Sequence, residues 1–87
     1  NSAIAIKCDV SNKDDSMKIV DEAVKVFGKL DCYFANAGIL GKYVPMENET
    51  EESFIRTLMV NTLGPFMGIK YASEAMKKTA GGGAIVC

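Results

Sequence analysis

The sequence contains no histidine and only three cysteines, and this scarcity narrows the chemistry open to it. Cys8, Cys32 and Cys87 are widely spaced, and no Cys-x-x-Cys or Cys/His spacing typical of a zinc site occurs. Each lies in or beside an apolar run, where a free cysteine behaves as a small hydrophobic residue. We therefore expect no metal site and three buried free thiols in a reducing compartment.

Long apolar runs and clusters of one charge are also missing. No stretch approaches the roughly 20 apolar residues needed to cross a bilayer, and the first residues lack the basic region of a signal peptide. The formal net charge is −1, and acidic and basic side chains are interspersed, so no basic stripe is available for a nucleic-acid backbone. We expect a soluble, cytoplasmic protein with neither a membrane nor a nucleic acid as partner.

The first third of the sequence reads as strand, helix and strand. Residues 3–6 form a short apolar run with two β-branched isoleucines, which predicts a buried strand over residues 3–8. A helix should begin near Asn12 with Ser11 as its N-cap, and Gly28 should end it. Residues 30–35 are mostly apolar and predict a second strand, covered on both faces as in parallel sheets.

The remainder continues the alternation. Residues 36–49 lack a sustained period and predict a loop, and Thr50 should cap a long helix over residues 51–78. The apolar stripe within residues 66–76 is expected in the core; it consists of Phe66, Ile69, Ala72 and Met76. A third strand should start at residue 84. Strands alternating with helices predict a parallel α/β sheet with right-handed crossovers, and the 87 residues suffice for one small domain at most.

Ligands of parallel α/β sheets bind beyond the carboxyl ends of the strands, which makes two segments candidates for a site. Asp9 and Val10 follow the first predicted strand, and Asn36, Ala37 and Gly38 follow the second. Small residues allow the backbone to approach a ligand closely. Taken alone, Asn and Gly are equally typical of an ordinary turn.

The long helix should be interrupted near Asn61. Pro65 has no amide hydrogen to donate to the Asn61 carbonyl four residues earlier, and its ring collides with that carbonyl. A kink is therefore expected, and the freed carbonyl must find another partner, such as a water molecule.

These features occur in the order seen in one protein family. The whole chain resembles the central part of a classical short-chain dehydrogenase/reductase, from that family's third strand through its fifth. The resemblance implies an α/β fold that is a fragment of a doubly wound parallel-sheet Rossmann-type domain, in the order strand-helix-strand-helix-strand. Residues 1–87 would then be a partial NAD(P)-binding domain, truncated at both ends.

The resemblance also implies roles for individual residues. Asp9 and Val10 would lie beside the adenine of the cofactor. Asn36–Gly38 would belong to the Asn-Asn-Ala-Gly motif, which stabilises the central sheet and lines the nucleotide, although Ala35 replaces its first asparagine. Asn61 would be the catalytic asparagine, whose backbone carbonyl holds a water that connects the catalytic lysine to a proton relay.

Two parts of the family's machinery do not occur in this sequence. The phosphate-binding Thr-Gly-x-x-x-Gly-x-Gly is missing, and so is the catalytic Tyr-x-x-x-Lys. The residues four positions after Tyr33, Tyr43 and Tyr71 are Ala37, Glu47 and Ala75. Because the family's serine and Tyr-Lys pair follow its fifth strand, the resemblance implies that the chain is catalytically inert alone.

The leading hypothesis is the central segment of an oxidoreductase that uses NAD or NADP to interconvert a small-molecule alcohol and a carbonyl. The family also implies a homodimer or homotetramer through the helix over residues 51–78. The alternative is a non-catalytic nucleotide-binding regulatory protein of the same fold. A third interpretation, a response-regulator-like domain, needs a cluster of acidic residues at the strand ends, and the sequence offers Asp9 alone. NAD and NADP are not distinguished, because the residue that reads the ribose 2′ position follows the family's second strand.

Overall fold

The computed structural model describes residues 3–41 and 43–87, so Lys42 of the predicted loop lies outside the described residues, as do residues 1 and 2. No helix in the described part of the chain is both long and apolar enough to span a membrane. The regular elements are helix α1 (Lys13–Phe27), strand β1 (Cys32–Phe34), a 3-10 turn (Met46–Asn48), helix α2 (Glu51–Leu58), a π-helical turn (Met59–Leu63), helix α3 (Gly64–Thr79) and strand β2 (Ala84–Val86).

The two strands pair in parallel, which confirms the predicted sheet type. Tyr33 lies opposite Ile85 in the register, and the ladder continues past β1 where the Ala35 amide donates to the Val86 carbonyl at 2.7 Å. The chain between them crosses over through α2 and α3. Both strands are three residues long, shorter than predicted.

The prediction of a strand over residues 3–8 is wrong. These residues have no regular secondary structure, and the one sheet of the described region contains only β1 and β2. A strand exists only where another strand accepts and donates its backbone hydrogen bonds. The predicted burial is wrong as well, since residues 3, 4, 5 and 7 are exposed. The apolar run does not specify a neighbouring strand, and none pairs with it among the described residues.

Helix α1 is confirmed, but its N-cap is not the predicted one. Asn12 caps the helix, because its side-chain oxygen accepts a hydrogen bond from the Asp15 amide at 3.0 Å. The Ser11 hydroxyl donates instead to Asp9. Gly28 ends the helix in the left-handed region with φ 87°, as predicted for a C-terminal glycine.

The predicted interruption of the long helix is confirmed. Thr50 caps α2, since its hydroxyl accepts from the Ser53 amide at 3.2 Å. The π-helical turn follows, and its wider spacing is shown by the Gly64 amide, which donates to the Met59 carbonyl five residues earlier. Pro65 then lies in the first turn of α3, where no amide hydrogen is required. The irregularity therefore precedes the proline rather than starting at it.

The core lies between α1 and α3 and is small. Val20, Ala72 and Met76 form its buried centre. Phe66 and Ile69, which were predicted to belong to the core, are 60% and 43% exposed. They lie away from the buried face of α3. That face is formed by residues at helical spacing, namely Gly64, Met67, Gly68, Ala72 and Met76.

Close contact between α3 and β1 depends on a glycine. A Cβ atom at Gly68 would lie 2.6 Å from Cε1 of Tyr33, so a larger residue there would force the ring or the helix to move. The prediction of three buried thiols is wrong: Cys32 and Cys87 are exposed and Cys8 is partly buried, because the two-stranded sheet is covered on only part of its surface.

Candidate functional site

Asn61 connects the π-helical turn to the loop that follows β1. Its Oδ1 accepts a hydrogen bond from the Ile39 amide at 2.8 Å, and its Nδ2 donates to the Ile39 carbonyl at 2.7 Å. The side-chain amide thus satisfies both backbone groups of one residue, as a neighbouring strand would. This pair fixes the segment just after Asn36-Ala37-Gly38 against the helix.

Gly38 lies next to this hydrogen-bonded pair. A Cβ atom at Gly38 would lie 3.4 Å from Oδ1 of Asn61, at the edge of ordinary van der Waals contact. The Asn61 side chain thus uses one donor and one acceptor to hold the loop, and its backbone carbonyl lies within the π-helical turn.

Two adjoining grooves open at the carboxyl end of β1. One has a volume of about 200 Å³, and the second has a volume of about 380 Å³. Ala35, Ala37 and Pro65 line both. Of the remaining candidate residues, Val10 and Asn36 line the first groove, and Gly38 and Asn61 line the second. The structure thus brings five of the six predicted site residues together: Val10, Asn36, Ala37, Gly38 and Asn61.

Asp9 lies beside these grooves without lining either. Its Oδ1 accepts hydrogen bonds from the Ser11 amide at 3.0 Å and the Ser11 hydroxyl at 2.6 Å, and Oδ2 is 3.7 Å from Nη1 of Arg56. These hydrogen bonds from Ser11, followed by the positive charge of Arg56, lower the pKa of Asp9 below its ordinary value. Asp9 therefore remains a carboxylate at neutral pH.

Val10 contacts the helical segment directly. A Cβ atom at Gly64 would lie 3.0 Å from Cγ2 of Val10 and 3.3 Å from its carbonyl oxygen. The glycine at position 64 therefore lets the start of α3 approach the turn after residue 9 closely.

Three residues of this region were missed in the sequence: Ser11, Arg56 and Ile39. Ser11 had a recognisable signal, because a serine two positions after an aspartate commonly forms a local side-chain hydrogen bond. Arg56 is 45 residues away from Ser11, and no spacing in the sequence predicts their contact. Ile39 contributes only its backbone, so its identity carries no signal.

Asn36 does not tie strands together within the described region. Its amide N–H donates to the Phe34 carbonyl at 3.0 Å, whereas its exposed side chain forms no hydrogen bond with any of residues 3–41 and 43–87. The side chain is therefore available to a ligand. Together with the small residues on either side of it, this exposed amide fits a planar or phosphorylated ligand that lies along the strand end.

Tyr33 has the wrong environment for a proton-transfer group. Its ring packs against Gly68, and burial, followed by the proximity of Cys8 and Cys87, raises the pKa of its phenol. A general base needs the opposite shift. This agrees with the absence of a lysine four residues later.

The parallel strands, the helical crossover and the grooves at the carboxyl end of β1 define a segment of a Rossmann-type α/β domain. A family model described as enoyl-(acyl carrier protein) reductase matches residues 1–87. Momilactone A synthase of Oryza sativa subsp. japonica is 47% identical over 72 residues, which cover 82% of this chain and 26% of that protein.

Solved structures agree with the sequence comparison. A short-chain type dehydrogenase/reductase from Mycobacterium marinum superposes with a TM-score of 0.87 at 31% identity, covering 95% of this chain and 32% of that one. NAD+-bound xylitol dehydrogenase superposes with a TM-score of 0.80 at 35% identity, covering 90% of this chain and 30% of that one. The chain belongs to the short-chain dehydrogenase/reductase family, and it spans about a quarter to a third of the length of these relatives.

Proposed function

We propose that this chain is the central segment of an NAD- or NADP-dependent oxidoreductase that interconverts a small-molecule alcohol and a carbonyl. Residues 1–87 are then one part of an NAD(P)-binding domain. Membership of the family supports this assignment, and so does the nicotinamide cofactor in the structure of one relative, xylitol dehydrogenase.

The observation that carries the proposal is the double hydrogen bond between Asn61 and Ile39. It brings the π-helical turn to the small residues after β1, so that Asn61 and Gly38 line the same groove. An ordinary turn with Asn and Gly needs no such brace from a helix 22 residues further along the chain.

Within this proposal the residues have distinct tasks. Asp9 and Val10 hold the adenine end of the cofactor, and Asn36–Gly38 bind along its middle, where the exposed Asn36 amide is available. Asn61 is the catalytic asparagine, because its side chain is occupied with Ile39 and its backbone carbonyl lies in the irregular π-helical turn. When bound, the cofactor supplies the hydride chemistry. The chain's own residues orient it and hold a water.

The test uses the full-length protein that contains this chain. NADH and NADPH are titrated against it by fluorescence, and turnover is then measured with a panel of ketones and alcohols. We expect saturable binding of at least one dinucleotide and turnover with at least one substrate class. Binding without turnover would indicate a nucleotide-binding protein without catalysis, and absence of binding would overturn the proposal.

An assembly through the long helical segment is a second part of the proposal. Phe54, Phe66 and Ile69 are 58%, 60% and 43% exposed, and large apolar side chains on one helical segment are typical of contact surfaces. We propose a homodimer or homotetramer through residues 51–78. Sedimentation of the full-length protein should show an oligomer, and Phe66→Glu should dissociate it, while Lys18→Glu on α1 should not.

The free thiols at Cys8, Cys32 and Cys87 support a reducing compartment, and we propose the cytoplasm as the location. Imaging of the tagged full-length protein tests this, since a secretory location would contradict it.

A further inference from the structure

The guanidinium of Arg56 connects α2 to the turn that follows Asp9. Its Nη1 donates a hydrogen bond to the Ser11 hydroxyl at 2.8 Å and lies 3.7 Å from Oδ2 of Asp9. The Ser11 hydroxyl in turn donates to Oδ1 of Asp9 at 2.6 Å. The three side chains therefore form a closed network in which each polar group has a defined donor or acceptor role.

The direction of these hydrogen bonds makes Ser11 the centre of the network. Arg56 can only donate, and the Asp9 carboxylate can only accept, so the hydroxyl accepts from one and donates to the other. Ser11 is 9% exposed, whereas the Arg56 and Asp9 side chains are 54% and 48% exposed. The buried hydroxyl thus orients the carboxylate, while the arginine fixes the hydroxyl.

Arg56 belongs to the same helical segment that holds the other side of the grooves. Gly64 contacts Val10, and Asn61 holds Ile39. The helical segment formed by α2, the π-helical turn and the start of α3 therefore contacts both the turn after Asp9 and the loop after β1. Arg56 is the polar contact of this segment with the turn at residues 9–11. Its loss would remove the hydrogen bond to Ser11 and the ion pair with Asp9, and would leave the apolar Val10–Gly64 contact in place.

We propose that Arg56 is a positioning residue, which holds the Asp9–Ser11 turn in the geometry that receives the adenine end of the dinucleotide. This inference rests on the proposed function, because it takes the adenine end to lie beside Asp9 and Val10. Arg56 does not touch the cofactor in this proposal. It acts through Ser11 and Asp9, and its guanidinium fork reaches both at once, which a lysine ammonium on a flexible stem does less well.

The experiment separates the two ends of the cofactor. Dissociation constants of adenosine 5′-monophosphate, nicotinamide mononucleotide and the preferred dinucleotide are measured by calorimetry on the full-length protein and on Arg56→Ala and Arg56→Lys. We expect Arg56→Ala to raise the dissociation constants of adenosine 5′-monophosphate and of the dinucleotide about tenfold, because the turn that receives the adenine end is no longer held in place. The dissociation constant of nicotinamide mononucleotide should be unchanged, and kcat at saturating cofactor should stay within about twofold of the wild-type value. Arg56→Lys should recover part of the affinity.

The controls distinguish positioning from a general loss of stability. Lys18→Ala removes an exposed cation of α1 and should leave all three dissociation constants unchanged. Ser11→Ala should also weaken the binding of adenosine 5′-monophosphate. Because Ser11 and Arg56 act through one network, the variant that carries both substitutions should lose less affinity than the sum of the two single losses. Ser11→Ala also provides the test if Arg56→Ala does not fold.

Three outcomes overturn the inference. The first is that Arg56→Ala binds adenosine 5′-monophosphate as tightly as the wild type does. The second is an equal loss of affinity for both mononucleotides in Arg56→Ala, which indicates a general structural effect. The third is a double variant whose loss of affinity equals the sum of the two single losses. The proposed function fails separately, if the wild-type protein binds neither dinucleotide.

Discussion

Asn61 and Ile39 are joined by two hydrogen bonds, one in each direction between a side-chain amide and the two backbone groups of one residue. The pair places the π-helical turn against the loop after β1, with Gly38 in the space between them. The pair is the hydrogen-bonded link between the helical segment and the loop that carries Gly38.

The first prediction concerns that pair. Asn61→Asp keeps the shape of the side chain, but it loses the donor to Ile39 and puts an anionic oxygen near the Ile39 carbonyl. We expect a loss of roughly 1 to 2 kcal/mol in the free energy of unfolding of the full-length protein, measured by urea denaturation. Asn48→Asp, an exposed substitution of the same type, is the control. An equal effect of both variants would contradict the assigned pair.

The second prediction concerns the contact between α3 and β1. Gly68→Ala would normally favour a helix, but here the new methyl would lie 2.6 Å from Cε1 of Tyr33. We expect a loss of about 1 to 3 kcal/mol in the free energy of unfolding, as for other overpacked cores. Ser73→Ala, further along α3, should change stability little. The loss should shrink in a Tyr33→Val background, and an undiminished loss there would show that the ring is not the obstacle.

The third prediction distinguishes the observed N-cap of α1 from the one that the sequence suggested. Asn12→Ala removes the acceptor of the Asp15 amide, which should lower the free energy of unfolding by about 1 kcal/mol. Lys13→Ala, at the first helical residue, is the control and should be nearly neutral. Thermal unfolding of the full-length variants measures both. Equal stability of Asn12→Ala and the wild type would rule out this cap.

The fourth prediction concerns the ionisation of Asp9. Its pKa is lowered below the ordinary value of 3.8, so the ionised form favours the folded state. The stabilising effect is complete above pH 3.8 and is lost as the pH falls through the lowered pKa of the folded protein. Carboxyl-carbon NMR of the full-length protein should give a midpoint below 3.8.

Ser11→Ala tests the cause of that shift. The hydrogen bonds from Ser11 are the largest contribution, and its hydroxyl is removed by this substitution, so the Asp9 midpoint should rise towards its ordinary value. Lys18→Ala should leave the midpoint where it is. A midpoint that does not move in Ser11→Ala would show that Arg56 or another charge controls the carboxyl group instead.

Local signals in the sequence were sufficient for much of the fold. The left-handed glycine at position 28 and the Thr50 cap depend on neighbouring residues only, so both were predicted correctly. The interruption before Pro65 follows from the chemistry of one residue. The segment over residues 3–8 failed, because a strand is defined by a pairing partner and not by its own composition.

The candidate site was predictable to a similar degree. Ligand positions at strand ends follow from the topology of parallel sheets, and Asn36 and Gly38 do line grooves at the carboxyl end of β1. Val10 reaches the first groove although no strand precedes it, because it packs against Gly64 at the start of α3. The contacts of Arg56 with Ser11 and of Asn61 with Ile39 span 45 and 22 residues, and no local pattern specifies them. Long-range polar contacts of this kind require the folded chain.

The most direct test of the central claim is a crystal structure of the full-length protein with its preferred dinucleotide bound. We expect the adenine against Asp9 and Val10, and the rest of the cofactor along Asn36–Gly38, with heavy atoms within about 4 Å of these residues. The Asn61–Ile39 pair should remain intact beside it. A cofactor bound elsewhere, with the two grooves at the carboxyl end of β1 free of it, would contradict the account.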